Sequence, residues 1–144
     1  MIKKPFQASD ILTMKTVLGP QASPASLLAW GKLHESQKPN VTFWVDGVPV
    51  ASGGFYIMWN GVAESWVALN EVVPMREVVE VKRQFLDWIE EYQLWRVAAQ
   101  VISTFRKGIR FVEWLGMEYE GTMRSFGPAR EDYLLYARVK WPTR

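Results

Sequence analysis

Two Asx-Gly dipeptides, Asp46-Gly47 and Asn60-Gly61, constrain what this chain can fold into more than any other feature. Both central residues of a tight hairpin loop need positive φ, which Asp, Asn and Gly tolerate. Around these dipeptides lie three runs rich in β-branched and aromatic residues: Val41–Val45, Val48–Trp59 and Val62–Val73. The spacing predicts a three-stranded antiparallel meander. Gly53-Gly54 inside the second run predicts a bulge or kink.

Helical patterns flank the meander. Ile2 to Phe6 reads as a short strand, and Ser9-Asp10 as the N-cap of a helix with Ile11, Met14 and Leu18 on one face. Gly19-Pro20 stops that helix. Ser23 and Pro24 open a second helix, with Leu27, Leu28, Trp30 and Leu33 on its buried side and Pro39-Asn40 at its end. After the meander, a helix opens at Pro74 and runs to about Tyr92, with Val78, Val81, Phe85 and Ile89 on one side. Glu80, Lys82, Arg83, Glu90 and Glu91 take the wet side. Leu94–Val101 follows as a strand, Arg106–Leu115 as a helix closing on Leu115-Gly116, and a strand begins at Met117. Gly127-Pro128 turns the chain into a last strand, Tyr133–Lys140. The order predicts an α+β fold in one domain over 1–144, with a mostly antiparallel sheet of six or seven strands and about four helices.

Composition narrows the chemistry. The 144 residues contain no Cys, which excludes thiolate catalysis, thiolate metal sites and disulfides. A single His, His34, without a His-x-x-His or Glu-x-x-His spacing, argues against a transition-metal site. It reads as a surface residue near a helix end. Eight Trp supply packing area first. A net charge of +2 is too small to argue for nucleic acid. No stretch approaches the ~20 apolar residues of a membrane span, and the N-terminus lacks a signal-peptide core. The expected location is the cytoplasm.

The segment Phe111-Val112-Glu113-Trp114-Leu115-Gly116-Met117 resembles the F-Y-E-K-L-G-F pattern of Gcn5-related N-acetyltransferases, the GNAT family. The element order is similar over nearly the whole chain. The stretch from VDGVPVASGG to GVAESWVAL also resembles GNAT-like proteins of tailed phages and prophages. The resemblance implies acetyl-CoA held where Ala63–Val73 and Leu94–Val101 splay apart. It implies a diphosphate resting on the amides of Val72, Val73, Arg76, Glu77, Val78 and Val79. In the family that loop reads Gln/Arg-x-x-Gly-x-Gly/Ala. Here it is Val73-Pro74-Met75-Arg76-Glu77-Val78-Val79-Glu80-Val81, with Arg76 as the basic residue, no glycine, and added negative charge from Glu77 and Glu80. Read without the resemblance, Pro74 opens a helix and the acids are first-turn dipole partners.

The resemblance also implies a general base on the strand before that loop. Glu64 and Glu71 are the candidates, with Ser65 and Asn70 as lesser polar groups. A solvated edge charge is the alternative for either acid. An amide near Val72 or Val73 would polarise the acetyl carbonyl. The family's acid tyrosine falls at Val112 and its Asn at Phe105, so Tyr119, with Tyr133 or Tyr136 behind it, is the substitute. Two functions are expected. One is acetyl transfer from acetyl-CoA to a small-molecule or protein amine, without metal. The other is a non-catalytic GNAT-fold module binding a phage or host protein in the host cytoplasm or the virion. A homodimer suits either.

Overall fold

The computed structural model describes residues 1–18 and 23–140. Its elements run β1 (Ile2–Lys4), α1 (Ala8–Thr13), β2 (Thr16–Leu18), α2 (Pro24–Glu35), β3 (Asn40–Val45), β4 (Val48–Trp59), β5 (Val62–Asn70), α3 (Met75–Glu91), β6 (Arg96–Ile102), α4 (Arg106–Trp114), β7 (Glu118–Met123) and β8 (Tyr133–Val139). The sheet is ordered β1-β3-β4-β5-β6-β8-β7, and β2 pairs with β5 off this path. Only β5 and β6 are parallel among the registers described, through Val62↔Arg96, Ala63↔Val97 and Glu64↔Ala98. The α+β class, the four helices among the described residues and the mostly antiparallel sheet match the expectation, with eight strands against the six or seven expected. No helix among the described residues is long and apolar enough to cross a membrane.

The chain divides into two compact units. The first comprises Met1–Tyr56 and Ser65–Trp88. Phe6, Ile11, Met14 and Ala68 form a buried cluster there, with Leu27, Trp30 and Trp66 packed on it. Phe55 meets Phe85 and Trp88 edge-on at 5.4 and 5.3 Å, which seats α3 on β4. Burying a side chain such as Phe55 stabilises the fold by roughly 1.5–3 kcal/mol. The second unit comprises Ile57–Glu64 and Ile89–Arg144. Its buried residues include Val97 and Val101 of β6, Phe111 and Val112 of α4, and Tyr136 and Ala137 of β8.

Five local expectations change. The first helix ends at Thr13, and Thr16–Leu18 is a strand pairing with Asn70 and Leu69. Gln7 is its N-cap rather than Ser9, because the Gln7 N–H donates to Asp10 Oδ2 at 2.9 Å. The stop at Gly19-Pro20 lies outside the described residues. Leu33 is exposed, and α2 instead buries Gly31, where a Cβ would lie 3.1 Å from Ala8.

The glycines of β4 make no bulge. Gly53 and Gly54 pair regularly with Val41 and Asn40, and the register shifts between Phe43 and Trp44 instead. Close approach explains Gly54, since a Cβ there would fall 2.7 Å from both the Pro39 carbonyl oxygen and Trp66 Nε1. Finally, β5 stops at Asn70, short of Val73.

Candidate functional site

The segment joining β5 to α3 lies wholly in the first unit. Asn70 closes the strand: its amide donates to the Pro49 carbonyl at 3.3 Å, and its Oδ1 accepts from the Val72 N–H at 3.5 Å. The Glu71 N–H donates to the Lys15 carbonyl at 2.8 Å, and the Glu71 carboxylate pairs with Lys15 Nζ at 3.6 Å in solvent. Val72 and Met75 are 73% and 72% exposed.

Pro74 caps α3. Its carbonyl accepts from the amides of Glu77 at 3.0 Å and Val78 at 3.2 Å. The helix therefore begins at Met75, and the amide of Val79 is already inside its second turn. Of the helix-start amides, those of Met75 and Arg76 have no backbone partner.

Glu77 lies on the inner face. It continues the buried stripe through Val81 and Phe85, four residues apart, and is 4% exposed. Its Oε1 sits 3.3 Å from Arg76 Nε, on a side chain that is 82% exposed, while its buried Oε2 has no hydrogen-bond partner. A buried carboxylate in the first turn is favoured by the helix dipole. The orphaned oxygen has a structural cause. A glutamate at the third helical position ordinarily accepts from the capping residue's N–H, and proline has none.

These residues do not fit the diphosphate of acetyl-CoA. An anion at a helix start needs free amides and a positive field. Here the amides of Glu77 and Val78 are used by Pro74, and a buried carboxylate holds the same turn. Counting from Arg76, the family's glycine positions are Val79 and Val81, whose side chains block close approach of the backbone.

The other candidates lie in the second unit, except for Ser65 on the first unit's part of β5. Glu64 is half-buried on β5 and pairs with Ala98, which pairs with Ala137, which pairs with Glu118. Directly opposed residues share a face, so Glu64 and Glu118 point to one side of the sheet and Tyr119 to the other. The Tyr119 hydroxyl is within 2.6 Å of Thr122 Oγ1 in solvent, and its ring packs edge-on against Tyr136 at 5.9 Å. Burial raises the Tyr136 phenol, with Glu113 adding to the shift, and burial beside Glu131 raises Tyr133. Both stay protonated at neutral pH. Val112 is buried in α4, and Phe105 is that helix's N-cap.

A surface cavity of about 360 Å³ is lined by Gly116, Glu118, Tyr119, Glu120, Ala137 and Val139. Glu120 already makes a two-pronged ion pair with Arg96, at 2.7 and 3.0 Å. That contact holds its carboxyl below the usual range and raises the guanidinium. No group of three potential metal ligands occurs among the described residues.

Sequence reasoning missed the inner placement of Glu77. The signal was available in the four-residue spacing of Glu77, Val81 and Phe85.

No family model matches the sequence, and no curated protein matches it. Solved structures do. Ard1 from Thermoplasma volcanium superposes with a TM-score of 0.77 at 18% identity, covering 98% of each chain. The ribosomal-protein-S18-alanine N-acetyltransferase from Escherichia coli gives 0.73 at 14% identity, over 99% of this chain and 96% of its own. A GNAT-family acetyltransferase from Bacillus anthracis gives 0.69 at 15% identity, over 95% and 93%. The chain therefore has the fold of the GNAT acetyltransferases.

Proposed function

We propose that this chain is a binding protein built on the acetyltransferase fold, engaging a protein partner without turning over acetyl-CoA. One observation carries the reading: the amides of Glu77 and Val78 both bond to the Pro74 carbonyl, where the fold's cofactor needs them free. Two further features support it. Val112 offers no proton at the family's acid position, and Phe105 replaces its Asn. Architecture outlasts chemistry readily, because function resides in a site and not in a fold. The resemblance to phage and prophage proteins makes a host or virion protein the expected partner class, met in the host cytoplasm or in the particle.

Thermal unfolding with acetyl-CoA tests this. A native-state ligand at a hundred times its Kd adds about 2.7 kcal/mol. The expected result is an unchanged Tm. A rise of several degrees with saturating acetyl-CoA overturns the reading.

A second reading, acetyl transfer from acetyl-CoA to an amine, is favoured by the likeness of the fold to solved acetyltransferases. In that reading Glu64 or Glu71 is the base, Tyr119 the acid, and an amide near Val72 or Val73 polarises the carbonyl. Amine-dependent release of free thiol from acetyl-CoA would establish it.

A further inference from the structure

We infer that Glu77 is a built-in anion: its carboxylate takes the place at the start of α3 that a phosphate group would otherwise hold, and it excludes phosphate ligands. The inference rests on the reading proposed above and names the residue responsible for it. An exposed acid at a helix start is common and proves little, because it interacts with the dipole from solvent. Glu77 differs in being 4% exposed, on the same stripe as Val81 and Phe85. One of its oxygens is buried without a partner, which is unfavourable for a polar group. A chain bears such a cost more readily where the positive end of a helix and the Arg76 guanidinium, 3.3 Å from the other oxygen, offset it.

Two components of an anion site persist. Met75 and Arg76 have amides without a backbone partner, and the exposed Arg76 side chain lies 3.3 Å from Glu77 Oε1. Besides the Val79 and Val81 side chains, what opposes a phosphate is the Glu77 carboxylate in the same turn. A like charge a few ångströms away in a partly desolvated site disfavours binding. Neutralising Glu77 should therefore create phosphate affinity where the wild type has little.

The test uses the full chain and inorganic pyrophosphate as the probe. Amide resonances of Met75 and Arg76 are followed through a titration of wild type, Glu77→Gln and Glu77→Asp, with folding of each checked by its thermal transition. The expected result is a saturable shift in Glu77→Gln, with affinity at least about tenfold above the other two. Glu77→Asp retains the charge and keeps the assay informative should the Gln variant fold poorly, since equal binding by Asp and wild type is required. Pyrophosphate binding by wild type at these amides as tight as by Glu77→Gln overturns the inference. Absence of binding in all three also overturns it, and separates it from the proposed function, which falls only if acetyl-CoA stabilises the wild type.

Discussion

Trp95 and Gly61 are in contact so close that no side chain fits between them: a Cβ on Gly61 would lie 2.3 Å from three carbons of the indole. Gly61 has φ +86° and its carbonyl accepts from the amides of Trp95 at 2.9 Å and Arg96 at 3.1 Å. The hairpin turn before β5 thus also fixes where β6 begins.

Gly61→Ala should cost at least ~2 kcal/mol, combining left-handed backbone strain with overpacking. Urea denaturation measures it. In a Trp95→Ala background the steric part vanishes, and the Gly61→Ala cost should fall towards the backbone part alone. Equal costs in both backgrounds would show that the indole contact contributes nothing.

A buried polar chain ties α1 to the meander. Thr42 Oγ1 donates to Asp10 Oδ2 at 2.7 Å and lies 2.8 Å from Ser52 Oγ, with all three residues at most 5% exposed. Thr42→Val keeps the shape and removes the hydroxyl, leaving Asp10 and Ser52 each short of a partner. The expected loss is ~1–3 kcal/mol. A change below a few tenths, by the same denaturation, would show that buried water replaces the hydroxyl.

Mild acid should destabilise the protein through His34. The ring stacks on Trp30 at a centroid distance of 4.1 Å, and its Nδ1 is 2.8 Å from the Trp30 carbonyl oxygen. Burial lowers its pKa below the usual 6.5, outweighing the opposing effect of that hydrogen bond. Above 6.5 the imidazole is neutral in both states and contributes no pH dependence. As pH falls through 6.5 the unfolded chain takes up its proton first, so stability drops until the folded value is passed. Since the chain has one His, denaturation between pH 7 and pH 5 should show this slope in wild type and a flatter one in His34→Gln. Parallel profiles would exclude His34 as the source.

What could be read from the sequence followed local rules. Asp46-Gly47 marks its turn because both residues take positive φ, +50° and +75°; at Asn60-Gly61 only Gly61 does, at +86°. Ser23-Pro24 marks a helix start through equally local preferences. Thr16–Leu18 was misread as helix because its strand state depends on β5, a partner far along the chain. Glu77 reads from sequence as a first-turn dipole partner, because a charged residue is seldom buried. Its burial becomes legible only through the shared stripe with Val81 and Phe85. The proton donor missing at Val112 was visible at once, whereas Glu64 and Tyr119 facing opposite sides of the sheet needed the register across β6 and β8.

The starts of α1 and α3 show what Pro74 withholds. In α1 the third helical residue, Asp10, accepts from the N–H of the capping residue Gln7 at 2.9 Å. In α3 the third residue, Glu77, has an orphaned oxygen because the capping residue is Pro74. Pro74→Ser supplies two groups: a backbone N–H for Glu77 Oε2 and a hydroxyl to accept from the Arg76 amide, which has no backbone partner. A serine cap is worth ~1 kcal/mol over a residue without an acceptor, against ~0.4–1 kcal/mol lost with proline's rigidity. These two nearly cancel, so the new bond to Glu77 decides, and the single substitution should be mildly stabilising. In a Glu77→Ala background the N–H finds no carboxylate, and the same change should be close to neutral. A coupling of about 0.5–1.5 kcal/mol between positions 74 and 77 is expected from thermal or urea unfolding of the four chains. Additive behaviour would mean that the Glu77 oxygen is satisfied in another way, and would remove the strain assigned to it.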